Sequence, residues 1–141
     1  MTIDYKSRLQ ALPGASQLSQ RRDGCWMDAP HLDVQALAAC MKEWEAHLST
    51  MTGAVSANDE IEVIYHYYLD HQAYNFKVIT RQNSLPTISL ILPAANWIER
   101  DIMDLYRITF KDHPNPKRLV RTVQMEPGLF REKGGSAEKR R

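Results

Sequence analysis

Cysteine is scarce: Cys25 and Cys40 are the two among 141 residues, and they lack the CxxC spacing of a zinc site, an iron–sulfur site or a redox dithiol. Both read as reduced thiols. No run approaches the roughly 18 consecutive apolar residues of a membrane-spanning helix, and Met1 to Gln20 lacks the apolar block of a signal peptide. The expectation is a protein that stays in the cytoplasm. The six glycines never form a phosphate-binding loop, no serine sits in GxSxG, and HExxH is absent. An excess of one charge is missing as well. Eighteen basic residues face 17 acidic ones, for a formal net charge of +1. That balance gives no general reason to expect nucleic acid or anionic lipid as a partner.

What is present suits one domain. At 43% hydrophobic, 141 residues can bury a core of their own. Residues 1–120 read as that domain and 121–141 as an irregular tail, with Gly134 to Arg141 polar enough to stay disordered. Ile3 to Leu12 predicts a short helix stopped by Pro13-Gly14, and Gly24 to Asp28 a short strand. Ala15 to Asp23, between them, follows no pattern. Asp33 is a candidate N-cap for a helix over 32–49, because Val34, Leu37, Met41, Trp44 and Leu48 recur at steps of three and four. Thr52-Gly53 is expected to break it, with a turn at Asn58-Asp59.

Glu60 to Leu69 alternates as a strand. Asp70-His71-Gln72 reads as a hairpin connection to a second strand, Ala73 to Thr80. Pro86 marks a loop or edge, and Thr87 to Leu92 predicts a third short strand. A second long helix opens at Pro93-Ala94-Ala95-Asn96, with Ile98, Ile102, Leu105 and Tyr106 on one face and Arg100 and Asp104 one turn apart as an exposed ion pair. Helices and mainly antiparallel strands in this order imply an α+β domain, a small antiparallel or mixed sheet with helices packed on one side.

Candidate chemistry is thin. His31, His47, His66, His71 and His113 are scattered, although His66 and His71 would face each other across the hairpin. Glu99-Arg100-Asp101, with Asp104 and Arg107, is the densest polar cluster. Read as an active site, it offers Glu99 or Asp101 as a general base with His113 as the second acid–base group; read from periodicity, it is the solvated face of an amphipathic helix. Trp97 suits either a core anchor or the buried centre of a protein interface. Lys111, Lys117, Arg118 and Arg121, with Lys139 to Arg141, lack the interleaved aromatics of a nucleic-acid surface.

The segment from Pro93 to Val120, PAANWIERDIMDLYRITFKDHPNPKRLV, carries a longer ordered pattern. It resembles the signature of the 30 kDa, or C-type, subunit family of respiratory complex I, which includes the related subunit of membrane-bound nickel–iron hydrogenases. That signature runs from a small residue and Asn-Trp through Glu-Arg-Glu, Asp and Gly-Ile to Phe, His-Pro and a basic ending. Ala95, Asn96, Trp97, Glu99, Arg100, Asp104, Ile108, Phe110, His113, Pro114 and Arg118 match, with Asp101 in place of a glutamate. Upstream, Tyr65-His66 falls where the family has a Tyr-His pair. Arg107 stands where the family has glycine, and Leu129 to Lys133 represents only loosely its basic C-terminal motif.

The resemblance implies a non-catalytic hydrophilic-arm subunit of a membrane-associated electron-transfer complex. Such a subunit holds no flavin, cluster or metal. It docks on the large hydrogenase-like subunit that carries the quinone site, beside iron–sulfur subunits, on the cytoplasmic face of the membrane and without touching nucleic acid. It also implies that Asn96, Trp97, Glu99, Arg100, Asp104, Phe110, His113, Pro114 and Arg118 form the docking surface. The alternative reading is a stand-alone small enzyme using Glu99, Asp101 and His113.

Overall fold

The structure, a computed structural model, describes residues 4–115. Helix α1 (Tyr5–Gln10) starts at Asp4, whose carboxylate accepts from the Ser7 amide and hydroxyl. Strands β1 (Leu18–Arg21) and β2 (Gly24–Asp28) form a first hairpin. Then come α2 (Val34–Glu43), β3 (His47–Val55), β4 (Ile61–Leu69), β5 (Gln72–Ile79), β6 (Ser84–Pro86), α3 (Ala95–Tyr106) and β7 (Thr109–Lys111). Five strands make a mixed sheet in the order β1-β2-β5-β4-β3, antiparallel except for the parallel pair β2·β5, while β6 and β7 form a separate parallel pair.

The alternation along β4 and β5 sets the sheet's two faces. Ile61, Val63, Tyr65, Tyr67 and Leu69 point inward beside Tyr74, Phe76 and Val78, which a strand's two-residue side-chain period requires. Leu9 from α1, Val34, Leu37, Ala38 and Met41 from α2, and Ala95 and Ile102 from α3 join the same core, so the helices cover one face. The other face carries a polar chain across four strands. The Thr52 hydroxyl pairs with His66 Nε2 (2.8 Å), His66 Nδ1 with Asn75 Oδ1 (2.6 Å), and the Asn75 amide donates to the Cys25 carbonyl (3.3 Å).

Several elements differ from the sequence expectation, each for a local reason. The helix expected over 32–49 stops at residue 43. Glu45 takes a left-handed φ of 58°, its N–H bonds to the Lys42 carbonyl, and the Ala46 N–H reaches back to Met41, a Schellman ending without the usual glycine. Leu48 thus belongs to β3, where it faces the core just as the helical spacing placed it.

Thr52-Gly53 breaks nothing: both lie within β3, and Gly53 is there because a Cβ would meet the Tyr106 ring at 2.4 Å. The patternless stretch 15–23 supplies edge strand β1. Thr87 to Leu92 is not a strand; the Ile91 and Leu92 amides both turn back to the Ile88 carbonyl, and the strand lies earlier, at β6, with Pro86 at its end. The hairpin β4–β5 turns on Asp70 and His71, both at positive φ (51° and 63°), so Gln72 is already in the strand. His66 therefore faces Asn75, not His71. Both cysteines are free.

Candidate functional site

The segment from Thr87 to Asn115 closes on itself around one carboxylate. Helix α3 buries Ala95, Glu99, Ile102 and Asp104, so two acids share its inner stripe with the apolar residues. Glu99 is 0% exposed. Its Oε1 accepts from the Thr87 hydroxyl and its Oε2 from the Ile88 amide (2.9 Å), while Thr87 is held in turn by the Ser89 hydroxyl (2.8 Å) and amide (3.1 Å). The turn before α3 is thereby tied to the second turn of the helix.

His113 ties the other end. Its Nδ1 accepts from the Asn115 amide (2.9 Å), which leaves the proton on Nε2; that nitrogen donates to the Asn96 carbonyl (3.2 Å) and lies 3.7 Å from Glu99 Oε1. Burial lowers the pKa of this imidazole. Burial pushes Glu99 the opposite way, up to about 7, against the pull of the Ile88, Thr87 and Ser89 hydrogen bonds. The hydroxyls of Tyr65 and Tyr67 are buried without a hydrogen-bond partner among the described residues, and desolvation, with Glu99's charge adding to it, keeps both phenols protonated.

These placements sort the expected site residues. Glu99, Asp104, Phe110 and His113 are buried, so they hold the segment together from inside. Asp104 is 6% exposed, so the pair expected with Arg100 on the surface does not lie there, and the polar cluster is not simply a solvated helix face. Trp97 is the reverse: it stands 64% exposed in the first turn of α3, with the Arg100 guanidinium 5.3 Å from its ring centre. Asn96 and Arg100 are half-buried and Pro114 exposed, whereas Arg118 and the stretch 121–141 lie outside the described residues. The Asn96 contribution shown is its backbone carbonyl.

As an acid–base set, Glu99 and His113 do meet, but at 0% and 8% exposure they are closed to a substrate. Asp101, two residues from Glu99 on the helix, points elsewhere. Burial and the neighbouring Asp104 raise its pKa. Sequence reasoning missed Thr87, Ser89, Tyr65 and Tyr67, which surround Glu99. It also missed Leu90, 66% exposed in the turn leading into α3. The signal at hand was the polar pair Thr87 and Ser89 within an apolar segment, which also fits strand alternation.

Arg107 answers the question raised by the missing glycine. It caps α3 in the left-handed conformation (φ 57°, ψ 48°), its N–H bonded to the Met103 carbonyl, so the turn survives with a residue ill suited to it.

Residues 27–131 match the model of a family described as the respiratory-chain NADH dehydrogenase 30 kDa subunit. Among curated proteins, the NADH-quinone oxidoreductase C-type subunit of Parvibaculum lavamentivorans is 34% identical over 65 residues, covering 44% of this chain and 32% of the relative. The C/D-type subunit of the same enzyme in Buchnera aphidicola is 32% identical over 75 residues, covering 53% of this chain and 11% of the relative. The chain thus spans about a third of the length of the C-type relatives it matches. A solved trypsin-resistant fragment of Nqo5 superposes with a TM-score of 0.61 at 20% identity, covering 73% of this chain and 90% of the fragment, so the fold is shared. With the family model spanning most of its length, this chain belongs to the 30 kDa subunit family of the respiratory-chain NADH dehydrogenase.

Proposed function

We propose that the protein is a non-catalytic, cofactor-free subunit of an NADH:quinone oxidoreductase-type complex. It docks on the large subunit that carries the quinone site and reaches the cytoplasmic face of the membrane through its partners. The observation that carries the reading is the family match over residues 27–131. Two relatives are named as C/D-type subunits, which supports a D-type subunit as the neighbour. Among the described residues no helix is long and apolar enough to cross a membrane, which fits attachment through partners.

The physical basis of docking is a division of labour within the signature. Glu99 and His113 lock the turn before α3 and the turn after β7 onto the helix, so the surface they support is set before any partner arrives. That surface presents Trp97 with Arg100 stacked on it, and Leu90, all at the N-terminal end of α3. An exposed tryptophan and leucine are costly in a free chain and favourable in a permanent interface, where aromatic and arginine anchors carry most of the energy. Mild-detergent affinity purification of the tagged chain from its own cells tests the reading. Recovery of a D-type large subunit and iron–sulfur partners is expected, whereas a chain recovered alone and monomeric would refute it.

A further inference from the structure

A groove runs along β6, away from the signature's polar centre. Two adjoining hollows of about 350 and 480 Å³ share Arg81, Leu85 and Pro86; Pro30 and Ile79 extend the apolar lining on one side and Lys111 closes the other. Arg81 and Lys111 are exposed, and neither has an ion-pair partner among the described residues. The carboxylate in the lining, Asp33, is engaged at the start of α2, accepting from the Gln35 (3.1 Å) and Ala36 (3.0 Å) amides. The Ser84 hydroxyl, also in the lining, is shielded from solvent and has no hydrogen-bond partner among the described residues.

We propose that this groove receives an acidic, partly apolar segment of a partner chain, with Arg81 and Lys111 pairing its carboxylates and Pro86, Pro30 and Ile79 packing its apolar side chains. The proposal rests on the reading of this protein as a docked subunit and adds a second contact to it. Charge argues for it. Residues 1–115 carry ten basic against fourteen acidic side chains, yet the groove gathers two cations with no ion-pair partner among the described residues. The chain's own residues 116–141 hold eight basic against three acidic side chains, so their charge does not complement the groove and a segment of another chain suits it better. The apolar lining favours a peptide over a bare anion, which would gain nothing from Pro30, Ile79 and Pro86.

Photocrosslinking in the intact complex tests the proposal. Pro86 is replaced by p-benzoylphenylalanine in the tagged full chain, in its own cells; a parallel strain carries the same replacement at Ala94, exposed beside Trp97 at the start of α3, so that the anchor itself is untouched. After irradiation, crosslinked peptides are mapped by mass spectrometry. The expected result is a crosslink from position 86 to an Asp/Glu-rich stretch of a second chain, reduced about tenfold or more by Arg81→Glu with Lys111→Glu while the crosslink from position 94 persists. A position-86 crosslink to residues 116–141, to lipid, to a non-acidic stretch or indifferent to the charge reversal overturns the proposal. So does silence at 86 with a partner captured at 94, which leaves the docking reading standing. Silence at both positions refutes the docking reading and the groove with it.

Discussion

Phe76 enters the core between Tyr74 and Tyr67, ring against ring, whereas Glu99 enters it from α3 held by a threonine hydroxyl, a backbone amide and a nearby imidazole. The first region is held by apolar burial, insensitive to pH and tolerant of any well-shaped hydrophobe. The second is held by hydrogen bonds to a group that titrates, and it needs each of its partners. The sheet therefore gives the domain its stability. The end built from β6, α3 and β7 gives one loop arrangement at the cost of a buried carboxylate.

Cutting the apolar side should produce the largest effect. Phe76→Ala is expected to lower unfolding free energy by about 3–5 kcal/mol, the range for emptying a buried aromatic site. Denaturant melts at pH 5 and pH 8 should give the same difference from wild type, since nothing that titrates has been touched.

Glu99→Gln probes the polar side and should behave oppositely. A carboxyl held at about 7 in the fold, against an ordinary value near 4.5, keeps its proton where the unfolded chain has lost it. Its contribution is therefore fully present below pH 4.5 and is lost as pH rises to about 7. Glutamine cannot ionise. Relative to wild type, the variant should gain stability across that window by up to about 3 kcal/mol. The lowered pKa of His113 runs the other way, its stability present above about 6.5 and lost as pH falls. His113 Nε2 lies 3.7 Å from Glu99 Oε1, so the difference between the two melting curves reports the coupled pair, and its rise between pH 4.5 and about 7 is the carboxyl's share. A flat difference would show that the carboxyl is not held as described.

The smallest effect sharpens the boundary between the regions. Arg107→Gly relieves a left-handed residue at the end of α3 and should raise stability by about 0.5–1 kcal/mol, read as a small increase in thermal midpoint.

Legibility in the sequence followed the same division. Along β4 and β5 a two-residue alternation sets which side chains enter the core, and Ile61 to Val78 could be read directly. The end of α2 could not, because a glutamate at φ 58° does what a glycine usually signals. Leu48 compounded the error, since it satisfies a helical step and an inward strand position alike. At α3 the motif announced which residues matter but not which way they face. Glu99 and Asp104 look like surface charges until Thr87 and Ile88, twelve and eleven residues upstream, are known to meet Glu99. That contact is set by packing and by no periodicity.

The central claim is that the signature is split, with Glu99 and His113 working inside while Trp97 works outside. Recovery of the partner subunits with tagged Trp97→Ala, its thermal midpoint measured on the same preparation, tests it most directly. The account predicts a midpoint within about 2 °C of wild type, as for an exposed position, and loss of the large subunit from the purified material. A variant that keeps its full complement of partners, or one that unfolds, would contradict it.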